Sequence, residues 1–349
     1  MKNVNQRGKV GLALLSFAHF HQYRWVEAFR KDSRCEIIGF WDENPKRGEE
    51  IERSLGIPFC ENLDNLLSDG SVTAAAVCSE TNRHPWLIEQ CCRYELPIMC
   101  EKPTARNSAE GQQIKKNVET AGIPFLQVFP QRLMTGNIRI KEILESGILG
   151  RVSHVRKRHG HGFGLVSLET DMPWIVSSED SGGGAYMDEG VHETDLLRHY
   201  FGMPLSVRAL KSNRTCGKGE MSATALYEFP NDITVVHEAG WNWIAGGSTT
   251  EIYGDEGVLI ESLTDCASST GNHLLPHLAL FRKETGSWEI LEKDYNFSSI
   301  HYMFPIAYLN MLLDETEPIA NLSDGLKALE MVEGVYRSIK ENRTIEFSN

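Results

Sequence analysis

The chain reads as two folds in series. A doubly wound parallel α/β sheet comes first, and an α+β domain with a large, mainly antiparallel, open sheet follows. Three observations predict this. Up to about residue 130, short apolar runs alternate with amphipathic helical stretches, the pattern of strands buried on both faces and joined by helices. Beyond about residue 150, many short strands are joined by turns such as Pro230-Asn231-Asp232 and Gly254-Asp255-Glu256-Gly257. A length of 349 residues with 41% hydrophobic content suffices for two cores. We expect one domain over residues 1–130 and a second over 131–349, with the C-terminal helices free to pack back on the first.

Each element has a local reason. The apolar run Lys9 to Leu15 is the first strand, and His21 to Lys31 is helical. Glu36 to Trp41 is the next strand, ending at Asp42. Pro45 to Leu55 is an amphipathic helix closed by Gly56 and Pro58. Leu63 to Ser68 is a short helix, Ala74 to Cys78 a strand, Pro85 to Tyr94 a helix and Pro97 to Cys100 a strand. Ser108 to Ala121 is a helix stopped by Gly122, and Phe125 to Phe129 completes the first sheet. Gly136 to Ser146 is a helix ended by Gly147 and Gly150.

The second sheet is expected from Val152–His159, Ser206–Lys211, Ser222–Phe229, Thr234–Gly240, Thr249–Tyr253, Gly257–Glu261, Ala279–Lys283 and Trp288–Leu291. Helices near Phe304–Asp314 and Ser323–Asn342 close the chain. A broad sheet covered on one face leaves the other open. Pairing into a homodimer or homotetramer through that sheet is the expected way to hide it.

Composition excludes several function classes. A formal net charge of -13 with a pI near 5.4 argues against nucleic acid or an anionic membrane as partner. No stretch approaches the roughly 18 apolar residues of a membrane span. The polar start from Met1 to Lys9 reads as no signal peptide. Cysteines at 35, 60, 78, 91, 92, 100, 216 and 266 form no CxxC pair. Reduced thiols and a cytoplasmic location are expected. No metal motif is read, because His19 and His21 sit two apart on a turn and are expected to lack nearby acid or thiolate partners.

A first domain of this kind, a Rossmann fold, holds pyrophosphate where the first strand turns into the first helix. Glycines there let the backbone approach, and the helix N-terminus supplies N–H groups. Here the turn reads Ser16-Phe17-Ala18-His19-Phe20-His21, with no glycine. Asp42 stands about 23 to 25 residues past the turn, where an acid bonds the ribose hydroxyls. A carboxylate there repels a 2′-phosphate and favours NAD over NADP. Asp42 is equally a good helix N-cap. Asn82, in Thr81-Asn82-Arg83-His84, lies at the carboxyl edge of a strand and reads as a nicotinamide or ribose contact, or as a turn residue.

Two segments carry the chemistry. Cys100-Glu101-Lys102-Pro103 places an ammonium directly after an apolar strand. Gly182-Gly183-Gly184-Ala185-Tyr186-Met187-Asp188-Glu189-Gly190-Val191-His192 puts an acid and an imidazole four residues apart, on one face if helical. Lysine, aspartate and histidine in one pocket form a proton-transfer set suited to turning a sugar or polyol hydroxyl into a carbonyl. Each also has a structural reading: an ion-paired Lys102, an Asp188 that caps, a core His192. Asp195, one turn beyond His192, orients it or closes a salt bridge.

Over nearly its whole length the chain resembles the glucose-fructose oxidoreductase / inositol dehydrogenase (Gfo/Idh/MocA) family. The resemblance rests on four pieces in order: Glu101-Lys102-Pro103 preceded by His84, the glycine-rich run from Ser181 to Asp195, Ser146-Gly147-Ile148-Leu149-Gly150-Arg151-Val152, and Leu322-Ser323-Asp324-Gly325-Leu326. It implies His192 as general base, Asp188 as the group orienting substrate or imidazole, and Lys102 bonding the substrate oxygen, with Glu101 orienting Lys102. It also implies a cis peptide before Pro103. The family's glycine fingerprint is absent here. The expected cofactor is still NAD, over Ser16, Phe17, Ala18 and His19, with Asp42, Asn82, His84, Glu101 and Lys102.

Substrate contacts are expected from His161 in His159-Gly160-His161-Gly162, from Trp174 stacking on a sugar face, and from Arg132 at a pocket floor. Trp174 as core, and Arg156-Lys157-Arg158 as a solvated edge, are the plain readings. One of Trp241 and Trp243 is expected to face the sheet core and the other a partner subunit. The function expected is NAD-dependent oxidation of a sugar, polyol or sugar acid. Glycosidase or lyase chemistry through transient oxidation with recycled NAD, and a non-catalytic sugar sensor, are the competing functions.

Overall fold

All six residues of the first strand, β1 (Val10–Leu15), are buried without alternation, as in a strand covered on both faces. The computed structural model describes residues 6, 8–245, 248–262, 276–292 and 300–347. The chain divides into two units: Met1–Pro130 with Ser299–Leu326, and Gln131–Ser298 with Lys327–Asn349.

In the first unit β1 is followed by α1 (His21–Lys31), β2 (Cys35–Trp41), α2 (Pro45–Leu55), α3 (Leu63–Leu67), β3 (Ala74–Val77), α4 (His84–Arg93), β4 (Ile98–Cys100), α5 (Ser108–Ala121) and β5 (Phe125–Gln127). The strands run parallel in the order β2-β1-β3-β4-β5. The order reverses between β1 and β3, the switch point where such sheets bind ligands. Asn44 caps α2 by accepting from the N–H groups of Lys46 and Arg47, with Pro45 at its first position.

The second unit runs through α6 (Thr135–Ser146), β6 (Val152–Gly160), α7 (Leu168–Asp171), α8 (Ser178–Ser181), α9 (Ala185–Asp188), α10 (Gly190–Phe201), β7 (Ser206–Lys211), β8 (Thr215–Cys216) and β9 (Gly219–Glu220). It continues with β10 (Ser222–Phe229), β11 (Ile233–Gly240), β12 (Thr249–Gly254), β13 (Gly257–Ser262), β14 (Leu278–Arg282) and β15 (Ser287–Glu292). Then α11 (Ile300–Leu313) returns to the first unit, where Tyr308 donates to the carbonyl of Pro97 at 2.7 Å. Helix α12 (Leu322–Glu341) crosses the division, and β16 (Ile345–Glu346) ends the chain.

The large sheet has nine strands in the order β15-β14-β13-β12-β6-β11-β10-β7-β16. It is mainly antiparallel, with β6 and β11 as a parallel pair. Strand β10 alternates buried and less buried residues, the mark of a sheet with one covered face. Helices α9 and α10 lie on the covered face. The opposite face carries exposed Leu210, Leu226, Tyr253 and Ile290. The short elements α7, α8, β8, β9 and β16 lack the apolar periodicity that predicted the rest. Cys266 lies outside the described residues, and the seven described cysteines are free thiols.

Candidate active site

In the first unit, the turn after β1 is built without glycine. Ser16 takes φ +72°, the left-handed conformation for which a glycine is ordinarily used. Its hydroxyl oxygen accepts from the Ala18 N–H at 3.1 Å, an Asx-like local bond that offsets part of the strain. The Phe17 N–H donates to Asp42 Oδ2 at 2.9 Å. The Phe17 ring packs in the core, 5.1 Å from Phe40 and 5.3 Å from Tyr23. Phe17 therefore presents its backbone, with the side chain packed in the core. His19 is buried, and its Nδ1 accepts from the His21 N–H at 3.2 Å.

Asp42 also accepts from the Asn44 N–H at 2.8 Å and pairs with Arg47 at 2.9 Å. The residue is thus both a local cap and an acid at the end of β2. Gln22, wholly buried in the first turn of α1, has neither amide atom hydrogen-bonded among the described residues. A buried amide left open at a helix N-terminus, beside an acid at the end of β2, fits a polar, phosphate-bearing dinucleotide.

At the end of β4, Glu101 and Lys102 are both buried. The Glu101 carboxylate accepts from the Lys102 N–H at 3.0 Å and meets His21 Nδ1 at 2.9 Å. His19 and His21 do have an acid partner in space, which corrects the expectation that they have none. Burial works to raise the Glu101 carboxyl, but His21, His19 and Lys102 outweigh it and hold it well below the usual carboxylate range. The Lys102–Pro103 peptide is cis. His84 is wholly buried, and Nδ1 lies 3.0 Å from the Pro103 carbonyl. A carbonyl can only accept, so Nδ1 carries the proton. His84 thus braces the backbone behind Lys102 through Nδ1. Asn82 sits in the 3-10 turn Thr81–Arg83 at the carboxyl end of β3.

In the second unit, the glycine-rich run makes room for a cap. A Cβ on Gly183 would lie 2.3 Å from the Tyr336 hydroxyl, and one on Gly184 2.4 Å from the Glu220 backbone nitrogen. The Tyr336 oxygen accepts from the N–H groups of Gly184 at 3.0 Å and Met187 at 3.1 Å. It donates to Glu220 Oε1 at 2.8 Å, which also accepts from the Tyr186 N–H at 3.0 Å. Two distant side chains thus satisfy the donors at the start of α9 that no local residue caps. Asp188 ends α9, and His192 lies in the first turn of α10, just past Glu189. Trp241, itself buried, donates its indole N–H to Asp188 Oδ2 at 2.9 Å.

Strand β6 supplies the facing wall. Period two turns Lys157 and His159 to the same side, and His161 continues it. His159 Nε2 lies 2.7 Å from Glu189 Oε2, and His161 Nε2 lies 3.2 Å from Glu189 Oε1. Burial favours a protonated Glu189, but His161 and His159 outweigh it and hold the carboxyl far below its usual value. His159 Nδ1 also meets the Ser248 hydroxyl, and the His192 ring stands edge-on at 5.8 Å. Lys157, fully buried, is 3.1 Å from Glu193 and donates to Thr250 at 2.7 Å. Burial opposes its charge, but Glu193 and Glu261 raise its pKa.

Two expected substrate contacts have other work. Arg132 forks onto Asp195 at 2.7 and 2.6 Å, both side chains being buried. It is committed to holding α10, and Asp195 closes that salt bridge. Trp174 packs on the core cluster of Leu168, Ile175, Val176 and Trp241. Trp241 is the tryptophan that faces inward, while the Trp243 ring lies 5.1 Å from the Arg158 guanidinium. Glu220 and Tyr336 carry no motif, and nothing in the sequence signals the bond of Trp241 to Asp188 or of Glu189 to the two imidazoles. Only the alternation of β6 signalled that Lys157 is internal.

Two sets of ligand-type atoms, His19, His21 and Glu101, and His161, Asp188 and Glu189, each lie within 4.8 Å of one another. In each set one imidazole Nδ1 accepts a backbone N–H, His19 from His21 and His161 from Phe163 at 3.1 Å. Its proton then sits on Nε2, where a metal needs a lone pair. Both sets are built as hydrogen-bonded acid–imidazole groups.

Comparison with known proteins agrees with these parts. A family described as "Oxidoreductase family, NAD-binding Rossmann fold" (GFO_IDH_MocA) matches residues 10–128, and "GFO/IDH/MocA C-terminal domain" matches residues 138–260. The chain belongs to the Gfo/Idh/MocA oxidoreductases. Like D-apiose dehydrogenase of Rhizobium rhizogenes it spans nearly the full length, at 23% identity over 94% of each chain. Myo-inositol 2-dehydrogenase of Thermotoga maritima is 25% identical over 56% of this chain and 54% of its own. Among solved structures, an oxidoreductase from Agrobacterium radiobacter in complex with NAD+, L-tartaric acid and magnesium superposes with a TM-score of 0.83 at 20% identity, covering 96% of this chain and 98% of that one. The aldose-aldose oxidoreductase of Caulobacter crescentus gives 0.81 at 22% identity, covering 97% and 100%. As a Gfo/Idh/MocA member the chain is an enzyme with an NAD-binding Rossmann domain. None of its helices among the described residues is long and apolar enough to cross a membrane.

Proposed function

We propose that this oxidoreductase converts a hydroxyl of a sugar or polyol to a carbonyl, with His192 as general base. The observation that carries the reading is Asp188, pinned through one oxygen by Trp241 at the end of α9, four residues before His192 in the first turn of α10. His192 takes the hydroxyl proton. Asp188, with its second oxygen, orients substrate or imidazole. Lys102, set beside the ionised Glu101, donates to the reacting oxygen and steadies its developing charge. NAD, when bound, supplies the hydride acceptor.

Ser16, Ala18, His19 and Gln22 would hold the phosphates, and Asp42 the ribose, with Asn82 beside the nicotinamide. Asp42 would favour NAD over NADP, since its carboxylate repels a 2′-phosphate and already occupies Arg47. The open face bearing Leu210 and Leu226 would pair with a second copy.

The test is formation of NADH by the purified protein from a panel of polyols and aldoses, with His192→Ala beside the wild type. A fall of about 10² to 10⁴ in kcat is expected. Unchanged turnover in the variant would remove His192 as base. Substrate cleavage without net NADH would replace dehydrogenation by the recycling chemistry.

A further inference from the structure

The charges of the second unit's acid–imidazole cluster are already spent on one another. On the inward side of β6 and the helices facing it, three basic sets among the described residues meet carboxylates. Lys157 lies between Glu193 at 3.1 Å and Glu261 at 3.6 Å. Arg132 is forked onto Asp195. His159 and His161 share the two oxygens of Glu189. Arg156 and Arg158 point to the opposite face of the sheet, where Arg156 pairs with Glu238 at 3.0 Å and Arg158 covers Trp243. Asp188, which accepts from a neutral indole N–H, is a further acid in this cluster.

A carboxylate or phosphate placed beside Asp188 and His192 would therefore face acids whose cations are committed. A neutral hydroxyl has the opposite relation to the same groups: it donates to Asp188 or Glu189 and accepts from an imidazole N–H. Bonds from neutral donors to an ionised acceptor are the strong kind, whereas like charges brought together suppress a partner.

We propose that this cluster selects neutral polyols or aldoses and rejects their aldonate, uronate and phosphorylated counterparts, Glu189 being the residue that withholds the His159 and His161 imidazoles from an anion. The proposal takes the location of the site from the dehydrogenase reading above and adds the sign of the substrate's charge. Glu189 acts here on specificity, through the two imidazoles it occupies.

Calorimetric titration of L-tartrate, D-glucuronate and inorganic phosphate into the full-length protein near pH 6 tests it, where imidazoles begin to protonate. Wild type is expected to bind each with Kd weaker than about 10 mM, and Glu189→Gln to bind at least about tenfold more tightly, a step of roughly 1.4 kcal/mol. Glu189→Asp keeps the charge and should exclude anions like wild type. Wild-type binding below about 1 mM, some −4.1 kcal/mol, overturns the proposal even if Glu189→Gln fails to fold. A folded Glu189→Gln with no gain removes Glu189 from the role. NADH formation read in parallel separates the two readings. Turnover of glucuronate but of no neutral sugar keeps the dehydrogenase and ends the proposal. Anion exclusion without any turnover supports the proposal and ends the dehydrogenase reading.

Discussion

Trp241 donates its indole N–H to Asp188 Oδ2 at 2.9 Å from a fully buried position between the sheet and α9. The bond ties one oxygen of the carboxylate to the core. A hydrogen bond to a charged group contributes about 1.5–3 kcal/mol. Trp241→Phe keeps an aromatic ring in the Leu168 and Val176 cluster and loses the donor. We expect kcat/KM to fall about 10- to 100-fold with little change in melting temperature. Steady-state kinetics beside a thermal melt reads both, and wild-type kinetics would mean that Asp188 is oriented by other groups.

Asp42 holds the Phe17 and Asn44 N–H groups as well as Arg47. Asp42→Ala removes all three bonds and frees the Arg47 guanidinium. NAD binding should weaken and NADP binding should rise toward it, measured by calorimetry on both dinucleotides. Equal affinities in wild type and variant would take Asp42 out of the cofactor site.

Ser16 carries two opposed effects, left-handed backbone and a hydroxyl that bonds Ala18. The conformation costs an L-residue roughly 1–2 kcal/mol, and the bond returns about 1. Ser16→Gly should therefore remain within about 1 kcal/mol of wild type in urea unfolding, while Ser16→Val, bulky at positive φ, should lose more than about 2. Equal stability of Gly and Val variants would show that the turn relaxes out of this conformation.

His237 lies in β11 opposite Lys157 and meets the Tyr186 hydroxyl at 2.6 Å. Burial, with Lys157 and His159 nearby, pushes its pKa down to about 3. The unfolded chain, near 6.5, binds the proton first, so stability falls as pH drops from about 6.5 toward 3, by up to about 1.4 kcal/mol per pH unit. Glu189 acts in a lower window. Its depressed carboxyl contributes stability above about 4.3 that is lost as pH falls below it. His237→Gln should flatten the loss between pH 6 and about 4.5 and leave the steeper acid limb. A variant with the wild-type slope would place the proton uptake elsewhere.

Much of this was legible because strands and helices of the first unit are punctuated locally. Pro45 and Gly56 bound α2, and the apolar runs of β1 and β3 admit one period only. Lys102, Asp188 and His192 were visible for a similar reason, since each sits in a short ordered motif. The remainder depends on partners far apart in the chain. Nothing near Arg132 in the sequence names Asp195, 63 residues away, as the acid its guanidinium forks onto. Glu189 is one acid among many until β6 lays His159 and His161 against it. The dihedral of Ser16 is likewise set by the Trp41 carbonyl that receives its N–H and by Asp42, not by its own residue type.

The cap on α9 also sets an order of assembly. Gly184 and the hydroxyl that receives its N–H are separated by 152 residues. During synthesis the segment bearing Asp188 emerges long before α12, and its opening turn stays open to water until Tyr336 arrives. Domains tend to fold as units as the chain is made, yet here the acid of the pair cannot reach its final place until the last helix has been made. A ribosome-bound chain stopped short of Tyr336 would carry every proposed catalytic residue and still lack the finished site.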